Sequence, residues 1–233
     1  MNIFKIRSPL PRTDFAPYWD ISLGQTQWHE TAKIDAIRNW MISNEQNILD
    51  KFPVYNDGGT GLGNNSTTSR FGYYNTFDFV NECPELADLL TFFRKSYVNF
   101  VASNYFDPID LYFESWFNIV HNGQAITEHI HGNQADTYLS GNIHLDNYPT
   151  HTYYRTPYDV TTPIPFKNIK GGLTIFPGYV PHFTDPYESN GQPRVSIAFD
   201  LWTVDTYNAT KGKSTRLFLN REIIQELHRS NKQ

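Results

Sequence analysis

Two stretches of the chain carry apolar residues at helical spacing. Between Glu30 and about Lys51 they are Ile34, Ile37, Trp40, Met41 and Ile48; from Pro84 to about Tyr105 they are Leu86, Leu89, Leu90, Phe93, Tyr97, Phe100 and Val101. Apolar positions three and four apart line one helix face, so both stretches are predicted helices that cover a sheet. Pro84 and Glu85 suit the first turn of the second helix.

Beyond Asp110 the pattern changes. Leu111 to Val120 is rich in aromatic and β-branched residues and runs into Asn122-Gly123, a strong turn signal. Further strands are predicted at Ala125–His131, Tyr138–Leu145, Gly172–Phe176, Tyr179–Phe183 and Arg194–Val204, and a terminal helix from Arg216 to about Arg229, with Asn220 as a cap. Residues 1–27, with Pro9, Pro11 and Pro17 among aromatic residues, read as an extended arm, irregular or edge strand. Residues 56–69 (Gly, Asn, Ser and Thr) and 146–170 read as loops. The first lacks the Gly-Lys-Ser/Thr ending of a phosphate cradle.

Helices followed by many short strands predict an α+β fold, mainly β, whose β part is a sandwich or jelly roll with flanking N-terminal helices and a C-terminal helix. The length of 233 residues fits one domain. Within it, residues 1–110 form the arm and helices, 111–205 the jelly-roll core and 206–233 the C-terminal helix.

Composition narrows the function. The aromatic share of 16% supplies a sizeable core. A net charge of -5 with interspersed signs gives no footprint for duplex nucleic acid. Cys83 is the only cysteine, so no intrachain disulfide forms, and no apolar run approaches the ~18 residues of a membrane span. The expectation is a soluble cytoplasmic protein. No Gly-x-Ser-x-Gly elbow and no dinucleotide fingerprint is present, which argues against hydrolase and nicotinamide chemistry.

Five of the eight histidines lie between positions 121 and 151. In a strand, residues i and i+2 share a face, so His129 and His131 present two imidazoles side by side. Taken alone, such a pair is better read as two half-exposed polar residues; a metal needs a third ligand from elsewhere. His182 is the candidate, at the end of Phe176-Pro-Gly-Tyr-Val-Pro-His182, with a satisfied core histidine as the alternative. After it, the turn-rich stretch Asp185–Pro193 predicts a hairpin centred near Glu188 that brings position 194 opposite position 182. Along Arg194–Asp200, alternation puts Arg194 and Ser196 on one face and Val195, Ile197 and Phe199 on the other. A guanidinium directed into a jelly roll needs an anion or a good hydrogen-bond network. Arg194 with Ser196 suits the far carboxylate of a small dicarboxylate, an internal salt bridge being the alternative.

The runs Trp116-Phe-Asn-Ile-Val, Glu128-His-Ile-His-Gly, Leu139-Ser-Gly, Gly172-Leu-Thr-Ile-Phe-Pro-Gly-Tyr-Val-Pro-His and Arg194-Val-Ser-Ile-Ala-Phe resemble, in that order, the 2-oxoglutarate- and iron(II)-dependent oxygenases related to prolyl hydroxylases. The resemblance spans roughly residues 112–204. It implies a double-stranded β-helix, Fe(II) held by His129, His131 and His182, 2-oxoglutarate as cosubstrate with its C5 carboxylate on Arg194, and a dioxygenase, a hydroxylase, that uses O₂ on an unidentified substrate. Ser196, Asn118, Asn142 and His144 fall beside the cosubstrate. The family's common triad is His-x-Asp/Glu with a distant His, whereas this chain has His131 at the middle position. Asp136, or a His144-x-Asp146 pair, would restore a carboxylate. Two rivals are a cupin-like three-histidine metalloenzyme without 2-oxoglutarate, which has no need of Arg194, and a noncatalytic jelly-roll binding module.

Overall fold

The computed structural model describes residues 1–132, 134–157, 161–188, 191–210 and 215–221. Strands β1 (Asn2–Arg7) and β2 (Asp20–Gln27) pair as an antiparallel hairpin, so the N-terminal stretch is more than an arm: β1 is an edge, while β2 lies inside the sheet against a strand 150 residues later. Helix α1 (Thr31–Lys51) and helix α2 (Glu85–Ser103) follow, joined by a loop with two short 3₁₀ turns, Thr68–Arg70 and Thr76–Phe79. Phe52, at the end of α1, is extended, as a residue before proline prefers.

Next come β3 (Leu111–Val120), β4 (Leu139–His144), β5 (His151–Tyr154), β6 (Ile164–Lys167), β7 (Gly172–Pro177), β8 (His182–Thr184), β9 (Arg194–Thr203), the short helix α3 (Val204–Ala209) and β10 (Leu217–Leu219). They form a seven-stranded antiparallel sheet in the order β1-β2-β7-β4-β9-β3-β10 and a three-stranded sheet in the order β6-β5-β8. A large and a small antiparallel sheet enclosing a shared interior is the arrangement of a jelly roll.

Alternation along the large sheet gives its two faces different work. Phe113 and Phe117 on β3, Val195, Ile197 and Phe199 on β9, and Ile143 on β4 are buried in the core cluster that includes α1 and α2, with Phe93 of α2 4.9 Å from the Phe199 ring centroid. The opposite face carries Trp116, Asn118, Asn142, His144, Arg194, Ser196 and Asp200, in register across β3, β9 and β4. That polar face looks into the interior.

Several expectations change. Ala125–His131 is not a strand: only His129 makes a bridge, to His182, because Thr127 turns its backbone N–H and hydroxyl to Thr60 and Gly59 of the glycine-rich loop instead of a second strand. Tyr179 lies in a turn, and the strand there is His182–Thr184. The region 146–170 holds β5 and β6, missed because neither exceeds four residues. Leu217–Leu219 is a strand paired with β3 where a helix was expected; the rest of that helix lies outside the described residues, apart from Arg216, Asn220 and Arg221. Finally, β8 and β9 are no hairpin, since β8 pairs with β5 in the small sheet and β9 with β3 and β4 in the large one. Among the described residues, no helix is long and apolar enough to cross a membrane.

Candidate metal centre

His182 projects from β8, and the segment holding His129 and His131 runs along that strand. His129 and His182 exchange backbone hydrogen bonds of 3.1 and 3.0 Å, and His131 N donates to Gly178 O at 2.9 Å. The three rings converge, with one ligand nitrogen from each lying within 4.8 Å of the others. The neighbouring pair predicted from strand alternation is therefore present, held by one bridge and the Gly178 carbonyl rather than by a ladder.

Hydrogen bonds settle the tautomers. His129 Nδ1 meets Thr127 O at 2.8 Å and His182 Nδ1 meets Val180 O at 3.1 Å; a carbonyl only accepts, so both Nδ1 atoms carry the hydrogen. His131 Nδ1 faces Asp200 Oδ1 at 2.6 Å, and a carboxylate likewise accepts. Each ring is thus committed through Nδ1, and its Nε2 lone pair is turned to the common centre. His131 Nε2 and His182 Nε2 stand 3.3 Å apart, two lone pairs that a cation between them would reconcile. Burial, then the neighbouring His131, pulls His129 down to about 4. Burial, with His129 and His131, holds His182 well below its ordinary value. Neutral imidazoles are what a divalent first-row metal takes, so the donor set fits such an ion.

Neither carboxylate alternative reaches this point. Asp136 is exposed and outside the cluster. Asp146 is held by Arg38 and by Tyr148, whose hydroxyl donates to it at 2.6 Å, and is likewise outside the cluster.

Behind the histidines a narrow pocket of about 40 Å³ is lined by Asn118, Asn142, His144, Thr152, Thr184 and Ser196. Asn118 Oδ1 accepts from Thr68 Oγ1 at 2.5 Å. Asn142 donates to the Tyr154 hydroxyl at 3.3 Å, but its Oδ1 is buried without a partner. Thr152 gives its hydrogen to Asn168, so His144 Nε2 donates to Thr152 Oγ1 at 3.4 Å and His144 Nδ1 is a buried acceptor with nothing to accept. Burial, and then Arg194, brings His144 down to about 3.

Arg194 closes this end. It is 1% exposed and donates to Thr184 Oγ1 at 2.7 Å and Thr150 Oγ1 at 3.4 Å. Among the described residues no ion pair reaches it, and burial lowers its guanidinium to about 10. A fully buried cation held by two hydroxyls is costly without an anion.

On the other side of the histidines a cleft of about 400 Å³ opens, walled by Tyr55, Phe71, Trp116 and Trp202 and by Asn56, Asp57, Gly58 and Thr60 of the glycine-rich loop. That loop borders the cleft. Sequence reasoning missed Asp200, although the alternation that put Arg194 and Ser196 on the site face continues through position 198 to 200.

No family model matches the sequence, and no curated protein matches it. Among solved structures the fold is similar to AviO1 from Streptomyces viridochromogenes Tue57, at 13% identity over 79% of this chain and 90% of that one, with a TM-score of 0.51. It is also similar to SnoK, a non-heme alpha ketoglutarate dependent carbocyclase from nogalamycin biosynthesis, at 10% identity over 85% of this chain and 92% of that one, with a TM-score of 0.50. At such identity the likeness is one of fold.

Proposed function

We propose that this protein is an Fe(II)- and 2-oxoglutarate-dependent dioxygenase, a hydroxylase of an unidentified substrate. One observation carries the reading: three converging imidazoles and a buried guanidinium that no ion pair reaches among the described residues face the same interior. SnoK, with its alpha-ketoglutarate dependence and similar fold, supports it.

When bound, iron and cosubstrate couple the oxidative decarboxylation of 2-oxoglutarate by O₂ to oxidation of a substrate C–H bond. The chain's own residues do the holding. His129, His131 and His182 present their Nε2 atoms, each ring held through Nδ1 by Thr127 O, Asp200 and Val180 O in turn. Arg194 receives the far carboxylate, with Ser196, Thr184 and Thr150 as neighbouring hydroxyls. The unpartnered Asn142 Oδ1 and His144 Nδ1 mark where a ligand's donor or a bridging water is accommodated. As it stands the inner pocket has room for about three waters, so seating a five-carbon dicarboxylate requires the side chains of His144 and Asn142 to give way.

Succinate formation tests the reading. Protein loaded with Fe(II) and mixed with 2-oxoglutarate and oxygen is expected to release succinate slowly, even without substrate, and His182→Ala is expected to release none. Iron-loaded wild-type protein that makes no succinate would rule the reading out.

A further inference from the structure

Position 131, where the resembled family has a carboxylate, is answered in space by Asp200. His131 Nδ1 meets Asp200 Oδ1 at 2.6 Å, and Ser140 donates its hydroxyl to the same oxygen at 2.6 Å. The register explains the meeting: Asp200 of β9 stands between Ser140 of β4 and Glu114 of β3, all on the site face. Glu114, the second acid there, is engaged by Arg216, whose Nε donates to Glu114 Oε2 at 3.0 Å. Asp200 is partly buried at this contact, with a side chain 13% exposed against 7% for His131. A carboxylate desolvated to that degree is stabilised by the two hydrogens it accepts.

We infer that Asp200, supported by Ser140, is the positioning residue of the metal centre: it fixes His131 with its hydrogen on Nδ1 and its Nε2 bare. It also returns, one side chain removed from the ion, the negative charge that a carboxylate as the third ligand would supply. The inference rests on the three-histidine reading and adds a coupling to it. An acid at 131 would face Asp200 with two charged acceptors and no hydrogen between them. Positions 131 and 200 are therefore one choice: His with Asp, or Asp with a neutral residue.

The full chain titrated with Co(II), by calorimetry and by the visible spectrum of the bound ion, tests this. Asp200→Asn is expected to bind about tenfold more weakly, and Asp200→Ala up to about 100-fold more weakly, as when a ligand histidine loses its hydrogen-bonded carboxylate. His131→Asp should lose more than Asp200→Asn, and the double substitution H131D with D200N should bind at least about tenfold more tightly than H131D alone. Melting of the metal-free variants separates misfolding from lost affinity, D200N being the same shape as the wild type. In the Co(II) protein the exchangeable imidazole N–H resonance of His131 should persist in wild type and vanish in D200A. Unchanged affinity in both Asp200 variants, or a double variant no tighter than H131D, overturns the inference. A wild-type chain that takes up no Co(II) overturns the metal reading beneath it.

Discussion

Arg194 Nη2 donates to Thr184 Oγ1 at 2.7 Å, tying β9 of the large sheet to β8 of the small one two residues beyond His182. The bond makes a prediction that separates binding from structure. A buried cation that no ion pair reaches among the described residues is a stability cost, so Arg194→Met should leave the melting temperature of the metal-free protein unchanged or a few degrees higher. The same change should weaken 2-oxoglutarate binding about 30-fold or more. Calorimetry of the iron-loaded protein and a thermal melt read the two effects. A melting temperature lower by about 10 °C would instead make Arg194 a structural residue.

Acid should destabilise the metal-free protein. His129 and His144 are held near 4 and 3 in the folded chain, mainly by burial, whereas in the unfolded chain they protonate near the ordinary value of 6.5. Below that value the unfolded state binds more protons, so stability is full above it and is lost as pH falls toward the folded values. These two groups alone make the chelator-treated protein roughly 4 kcal/mol less stable at pH 5 than at pH 8, and His182, which burial also holds well below its ordinary value, adds to the loss. Urea unfolding at the two values checks this, and His144→Asn should remove about 2 kcal/mol of the loss. Equal stability at both would show that these rings are not held neutral by the fold.

Much of this site is legible in the sequence, and the exceptions have physical causes. His182, His129 and His131 converge as the i, i+2 rule suggests, and Arg194 with Ser196 shares the interior face because β9 is regular along its ten residues. The long helices were visible because each buries a stripe over five turns. What failed was pairing. Whether Asp185–Pro193 returns the chain to its own sheet or carries it across to the other is decided by partners far along the sequence, and turn composition is the same either way. Strands β5 and β6 are too short to show a period, and β10 takes its place by completing the edge of β3.

The glycine-rich loop is built against the ligand segment. Gly61 has φ +73°, and a Cβ there would lie 2.7 Å from Thr127 Cγ2. Gly61→Ala should therefore cost about 1–3 kcal/mol in unfolding free energy. It should also weaken metal binding several-fold, because Thr127 O holds His129 Nδ1. Full stability with unchanged affinity would detach the loop from the site.

Room in the inner pocket should set which 2-oxoacid is accepted. His144→Ala removes one ring from its lining, so the preference for 2-oxoglutarate over the longer 2-oxoadipate should fall by about tenfold, the scale of one methylene in a fitted pocket. Competition binding of the two acids to the iron-loaded variant gives the ratio. An unchanged preference would place the cosubstrate elsewhere.

The most direct test is an anaerobic titration of the purified protein with Fe(II) and then with 2-oxoglutarate, watching for the weak visible charge-transfer band of an iron-chelated 2-oxoacid. The band is expected in wild type and should be absent in His182→Ala and, at matched concentration, in Arg194→Met. Bound iron with no band would contradict the account and favour a three-histidine enzyme that works without the cosubstrate, and a protein that binds no iron would leave only a binding module.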